Sequence, residues 1–237
     1  RHKQSLSESS FDAWTKYYQM NENTPNAVVS YYAKGSLLAL ALDIKIRAHT
    51  KQKQSLDDVI RHLWEMYQLT ETGMAEDDFD RAIEFVIDPS FAATWAQMKS
   101  DYVDGCKDIP LDTILSSVGV KVSLKETLPT EHAETAKQLL GIRTTAQQGW
   151  IKLTHVLDGG LAQQAGLAAG DYLASINGER TTPGRLDHLL TQLIQKLSRG
   201  QAVKVAAYRH DSEFVAMFQA RSDIASSQPK QYSISIK

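Results

Sequence analysis

The sequence predicts an α+β chain of more than one domain: an all-α N-terminal region, then a small β-barrel or sandwich with one long helix. Three observations predict it. Residues 28–49 contain no proline and one glycine, and their apolar positions suit a helix. Near residue 120 the apolar period drops to two. Beyond Leu139 short strand and turn signals dominate, and only Arg185–Leu197 reads as a clear helix.

The elements follow in order. After Thr24-Pro25-Asn26, the first long helix carries Leu37, Leu38, Leu42 and Ile46 on a broad apolar face. Gly35, Ser36, Ala39 and Ala41 keep its early turns slender, so another backbone can approach closely. A second helix begins at Ser55. Ser55 and Asp58 fit a shortened capping box, and Val59, Ile60, Leu63, Trp64 and Tyr67 follow at helical spacing. A third spans 76–86. Asp88-Pro89 starts a fourth, since proline suits a first turn, and Tyr102-Val103-Asp104-Gly105 ends it. Pro110 opens a fifth, which stops at Gly119. Residues 1–119 are thus the helical domain.

Val120, Val122 and Leu124 alternate with polar residues as in a half-buried strand. Leu128-Pro129-Thr130 and the polar stretch Glu131–Lys137 read as a connector, so 120–136 joins the halves. In the second domain, 137–221, Trp150, Ile151 and Leu153 suggest a strand and Asp158-Gly159-Gly160 a turn. Val203, Val205 and Ala207, then Phe214, Ala216 and Phe218, form a hairpin around His210-Asp211. The polar tail 222–237 is expected to fray.

Composition narrows the function. The 237 residues suit two domains, and 42% hydrophobic with 23% charged residues is globular usage. A net charge of -2 gives no reason to expect a nucleic-acid or membrane-surface partner. The single cysteine, Cys106, excludes an internal disulfide and reads as a half-buried structural thiol. No uninterrupted apolar run nears the ~20 residues of a membrane span; the longest is Leu37–Leu42. The chain opens RHKQSLSESS without methionine, as though cut from something longer. Any signal region would lie upstream of Arg1, which leaves cytoplasm and periplasm equally open.

The most specific motif is AGLAAGDYLASING at 165–178. Gly166, Gly170 and Gly178 punctuate it, and Leu167, Leu173 and Ile176 anchor it. It resembles the centre of a PDZ domain, and the order of elements resembles the bacterial, permuted form. The resemblance implies a groove for a peptide or protein C-terminus. Its carboxylate-binding loop would be LLGI, with Leu140, Gly141 and Ile142, where backbone N–H groups meet a terminal carboxylate. The following strand would accept the peptide, and Leu186, Leu189, Leu190 or Leu193 would form the other wall. The family often has Ser-Pro ahead of AGL; Gly160-Leu161 stand there, which is expected to loosen that loop.

SFDAW at 10–14, PNAVVSYYAKGSLLALALD at 25–43 and YVDGCKDIPLDTIL at 102–115 carry a second resemblance. Together they look like the C-terminal part of the glycyl-aminopeptidase family, thermolysin-like zinc peptidases ending in a helical region and a PDZ domain. That implies a role for Tyr32, with Lys34 and Gly35, in a Tyr-x-Lys-Gly motif: a phenol O–H facing the metal and stabilising negative charge on the attacked carbonyl. Tyr31 is expected to be structural.

The family's zinc ligands, HExxH and a downstream glutamate, are not in this sequence. None of the seven histidines has that spacing, so each reads as a surface or core residue, and no metal ligand is assigned. No Gly-x-Ser-x-Gly turn or phosphate loop occurs. The chain alone is therefore expected to be inactive and without cofactor. Zinc and the catalytic domain would come from upstream in a parent that removes N-terminal glycine or alanine. The alternative is a free-standing PDZ protein that binds peptides without catalysis.

Overall fold

In the computed structural model, residues 3–68, 73–126, 133–220 and 230–236 are described. The chain divides into two compact units, 1–19 with 27–123 and 234–237, and 20–26 with 124–233.

The first unit is helical. Helix α1 (Leu6–Phe11) opens on a capping box in which Ser5 and Glu8 each bond the other's backbone N–H. A π turn over Ala13–Tyr17 follows, closed by Tyr18 N–H donating to Ala13 C=O at 2.9 Å. After the short α2 (Thr24–Ala27), whose first three residues group with the second unit, comes α3 (Tyr31–His49), with Ser30 as its N-cap. The expected box at Ser55 starts α4 (Leu56–Tyr67), with Ser55 N–H and Oγ both donating to Asp58 at 2.8 Å. Asp43 of α3 accepts from Leu56 N–H at 2.9 Å, which ties the two helices.

Helices α5 (Asp78–Val86), α6 (Ala92–Met98, entered by a 3-10 turn and left by a π turn) and α7 (Leu111–Ser116) complete it. Leu38, Leu42, Ile46, Val59, Leu63, Ile83, Phe91, Trp95 and Ile114 form one buried cluster. The segment Thr24–His49 has the length and composition of a membrane-crossing helix, more than the run Leu37–Leu42 suggested. On it Leu38, Ala41, Leu42, Ile44 and Ile46 are buried, while Tyr32, Leu37 and Leu40 are exposed.

Asp88 shows how a helix start is held. Its carboxylate accepts from Ser90 N–H and Phe91 N–H at 2.8 and 3.1 Å, from Ser90 Oγ, and bonds His49 Nε2 at 2.9 Å. Ser90 first, then His49, pulls its pKa from 3.8 to about 2. A depressed carboxylate stabilises the fold above its unfolded pKa, and that contribution is lost as pH falls toward 2. Asp88→Asn keeps an N-cap while removing the charge. Melting curves between pH 5 and 2 are expected to fall less steeply for Asp88→Asn than for the parent chain.

Strand β1 (Val120–Glu126) pairs with β8 (Lys230–Ile236) in a two-stranded sheet. The polar tail therefore ends in a strand instead of fraying, because a partner edge offers its backbone a ladder. A second departure is α8 (Ala133–Leu140), a helix where a connector was expected. Leu128-Pro129-Thr130 and Glu131 lie outside the described residues.

The main sheet runs β2 (Ile142–Gln147), β3 (Trp150–Val156), β4 (Tyr172–Ile176), β6 (Val203–Arg209), β7 (Ser212–Phe218), all antiparallel, with the short β5 (Glu179–Arg180) paired to β4. One turn of helix, α9 (Leu161–Gln164), links β3 to β4. The long α10 (Leu186–Ser198) lays Leu186, Leu189, Leu190, Leu193, Ile194 and Leu197 into the sheet's core. Burying each contributes roughly 1.5–3 kcal/mol. This is the expected PDZ-like module after an all-α domain.

The glycine motif explains itself locally. Asn177 and Gly178 both have positive φ, as a two-residue I′ hairpin requires between Ile176 and Glu179. Asp171 is buried and accepts from Ala168 N–H at 2.8 Å and from Arg209 Nε and Nη2 at 2.8 and 2.9 Å. Gly160 does not loosen its loop. A Cβ there would lie 2.9 Å from Leu157 O and 3.0 Å from Leu140 O, so the missing side chain permits a close backbone approach.

Candidate functional site

The first site is a cluster of phenols in the helical unit. Ser9 Oγ bonds Val29 C=O, and Val29 N–H donates to the buried Gln4 at 3.0 Å. These bonds fix the N-terminal segment against the residues before α3. The π turn then brings Tyr17 and Tyr18 to the first turn of α3. Tyr18 Oη lies 2.7 Å from Tyr32 Oη and 2.9 Å from Tyr31 Oη, and Tyr17 Oη is 3.3 Å from Ser30 Oγ. The rings of Tyr31 and Tyr32 lie 4.2 Å apart, and Trp14 packs on Tyr18 at 5.1 Å.

Tyr32 is exposed at 58%. The bond to Tyr18, with Tyr31 adding, holds its phenol below the ordinary value of 10. Tyr31 is pushed up, chiefly by its bond to Tyr18. Such an arrangement can offer an acidic O–H to an oxygen that gains negative charge. Tyr31, expected to be structural, shares this network. The other motif residues frame it. Lys34 Nζ donates to Gly105 C=O at 3.3 Å. Gly105 itself admits no Cβ, which would meet Ser100 O at 2.6 Å and Asp101 O at 2.8 Å. Nothing described lies within 4 Å of a Cβ built on Gly35, so that face of α3 is open.

The second site belongs to the sheet unit. Leu140, Ile142, Leu186, Leu189, Leu190 and Leu193 are brought together, all buried in one cluster. Gly141 joins α8 to β2 at φ +72, a conformation that favours glycine. Its N–H donates to Gln138 C=O at 3.1 Å, and its C=O accepts from Leu157 N–H at 2.7 Å. Strand β2 ends the sheet, so among the described residues no strand pairs with its outer edge. Helix α8 packs on α10 through Ala136 and Leu140, with Lys137 Nζ 3.3 Å from Asp187.

Sequence reasoning missed Tyr18, whose contacts depend on the π turn, and Asn26. Asn26 groups with the second unit, where Nδ2 donates to Val156 C=O and Oδ1 accepts from Asp158 N–H, both at 2.9 Å. The histidines are dispersed. His49 bonds Asp88, His62 stacks on Phe85 at 4.5 Å, and His188 bonds Gln192 at 2.8 Å. Among the described residues no three His, Cys, Asp or Glu side chains group to hold a metal ion, so they do not fit a zinc site.

Residues 1–38 match the M61 glycyl aminopeptidase family. The fold matches the crystal structure of an aminopeptidase N family protein from Idiomarina loihiensis, with 28% identity and a TM-score of 0.74. That match covers 99% of this chain and 39% of the other, so the chain spans well under half of that protein's length. The resemblance to the glycyl aminopeptidases is borne out by both. Two PDZ structures also align, each with a TM-score of 0.27. The HtrA3 PDZ domain bound to the phage-derived ligand FGRWV aligns at 12% identity, over 48% of this chain and 91% of that one. The PDZ domain of EpsC from Vibrio cholerae aligns at 17%, over 34% and 95%. No curated protein matches the chain.

Proposed function

We propose that this chain is the C-terminal helical and PDZ region of a zinc-dependent aminopeptidase that removes small N-terminal residues, glycine or alanine, from peptides. The observation that carries the reading is the fold match over 99% of the chain to an aminopeptidase N family protein. Tyr32 adds to it, standing exposed at the start of α3 with its hydroxyl hydrogen-bonded from behind. In this reading Tyr32 donates its O–H to the substrate's carbonyl oxygen as negative charge grows there. The metal is held by another part of the parent polypeptide. That part covers the open face at Gly35 and the N-terminal stretch where Phe11 and Trp14 are exposed at 91% and 79%.

The sheet unit binds a peptide or protein C-terminus. An incoming strand adds to the outer edge of β2, where main-chain bonds supply affinity. Because Leu157 N–H already bonds Gly141 C=O, ladder alternation turns the backbone of Ile142 outward to that edge. The apolar last side chain of the peptide packs toward Leu140, Ile142 and the leucines of α10.

The test is direct. The native polypeptide is expected to weigh well above 26.4 kDa and to hydrolyse glycyl and alanyl anilides, while residues 1–237 alone do not. A native mass near 26.4 kDa with peptide binding and no hydrolysis would overturn the aminopeptidase reading and favour a free-standing PDZ protein. The open edge of β2 is what makes that second reading physical.

A further inference from the structure

Helix α8 ends in the loop that is expected to hold a peptide's carboxylate, and the two roles need the same atoms. We propose that α8 is a latch on the peptide site: while its last turn stays wound the loop lacks donors for a terminal carboxylate, and a free peptide C-terminus is captured when that turn unwinds. The proposal rests on the peptide-binding reading of the sheet unit and adds the step that regulates it.

The hydrogen bonds carry the argument. A turn that captures a carboxylate needs backbone N–H groups that converge and are free. Leu140, Gly141 and Ile142 supply the three at this loop. Leu140 is the last residue of α8, so its N–H belongs to the helical ladder and bonds four residues back. Gly141 N–H is taken by Gln138 C=O at 3.1 Å. Gly141 C=O faces β3, where it accepts from Leu157 N–H at 2.7 Å, so Ile142 N–H faces the outer edge. One donor of the three is therefore available.

The helix also sets the wrong charge there. The last carbonyls of α8 point toward its C-terminus, the negative end of its dipole, which repels a carboxylate. Leu140 itself is 1% exposed and fills a place in the cluster that holds Leu186, Leu189, Leu190 and Leu193. The apolar last side chain of a peptide has to share or take that place.

The turn is lightly held. Helix α8 has eight residues, fewer than an isolated helix needs in water, so packing on α10 sustains it. Ala136 and Leu140 supply that packing. Lys137 adds an ion pair to Asp187 at 3.3 Å, but the Asp187 side chain is 64% exposed, and such a pair contributes little. Gly141, at φ +72, already has the conformation by which chains leave a helix. Unwinding from Gln138 frees the N–H groups of Leu140 and Gly141 beside that of Ile142, and it removes the facing carbonyls.

The experiment titrates residues 1–237 with a fluorescent alanine-rich pentapeptide ending in valine, its C-terminus free or amidated. Gln138 is exposed, so Gln138→Gly weakens the helix without touching the core. Glycine there shifts the turn roughly threefold toward the unwound form, and the apparent Kd for the free peptide is expected to tighten by that factor. Gln138→Ala, a better helix former, is expected to weaken binding. The amidated peptide is expected to bind all three proteins at least about tenfold more weakly, having no charged carboxylate to offer. Hydrogen exchange at the Leu140 amide follows the turn without any ligand, and it is expected to be faster in Gln138→Gly. Equal Kd values in the three proteins while that amide exchanges faster in Gln138→Gly would overturn the latch. Equal binding of the free and amidated peptides would do the same, since it puts the affinity on the β2 edge alone. Failure of the peptide-binding reading would look different: neither peptide would bind any of the three proteins, and the latch would fall with it.

Discussion

On the aminopeptidase reading proposed above, Tyr32→Phe in the longer polypeptide is expected to lower kcat by roughly 10²–10³, the usual effect of losing one oxyanion donor, with KM and bound metal unchanged. The split follows from where the bond is made. A donor aimed at charge that exists only in the transition state contributes little to substrate binding, so its loss falls on kcat. The substitution should leave the fold alone. The ring's contacts survive, including the 4.2 Å approach to Tyr31, and Tyr32 is 58% exposed. Steady-state kinetics on a glycyl anilide, with zinc counted in both proteins, checks it. Full activity with metal retained would remove Tyr32 from the mechanism.

How much of this was legible in the sequence depends on how local the cause was. Gly178 could be read as a break because its cause is local, an I′ turn fixed by two residues with positive φ, Asn177 and Gly178. Ser55 with Asp58, Asp88-Pro89 and the leucines of α10 could be read for the same reason: the partners lie within a turn or two. Helix α8 could not. The polar stretch 131–137 has the composition of a linker, and from Ala133 the chain is helical where Ala136 and Leu140 meet α10 and Lys137 meets Asp187. The strand β8 needed a partner edge more than a hundred residues away. Asn26 bonds Val156 across 130 positions, which no periodicity announces.

The candidate site divides in the same way. Tyr32, Lys34 and Gly35 were legible as a motif because they lie within four successive positions at the start of one helix. Tyr18 was not, because its hydroxyl reaches Tyr32 only after a π turn shifts the register by one residue. The leucines of α10 were read as a groove wall or as core on spacing alone. Burial places their side chains inside the cluster, so the wall available to a peptide depends on what Leu140 and α8 leave open.

Arg209→Met is expected to destabilise the sheet unit by about 2–3 kcal/mol, because it leaves the buried Asp171 carboxylate without its cation. The Asp171 side chain is 1% exposed and Arg209 46%, so this falls at or below the low end for a fully buried pair. Arg209 gives Asp171 two bonds and Gly166 C=O a third, at 2.9 Å, so one guanidinium joins β6 to both ends of the glycine turn. Ala168 N–H remains as a partner in the variant, which limits the loss but does not neutralise the charge. For a domain of this size the shift is on the order of 10–20 °C in Tm. Combining it with Asp171→Asn is expected to recover part of that loss, since an amide can keep the Ala168 bond without a buried charge. Calorimetry on the four proteins of the cycle gives the coupling. Additive losses would mean that Asp171 is held by its backbone turn alone.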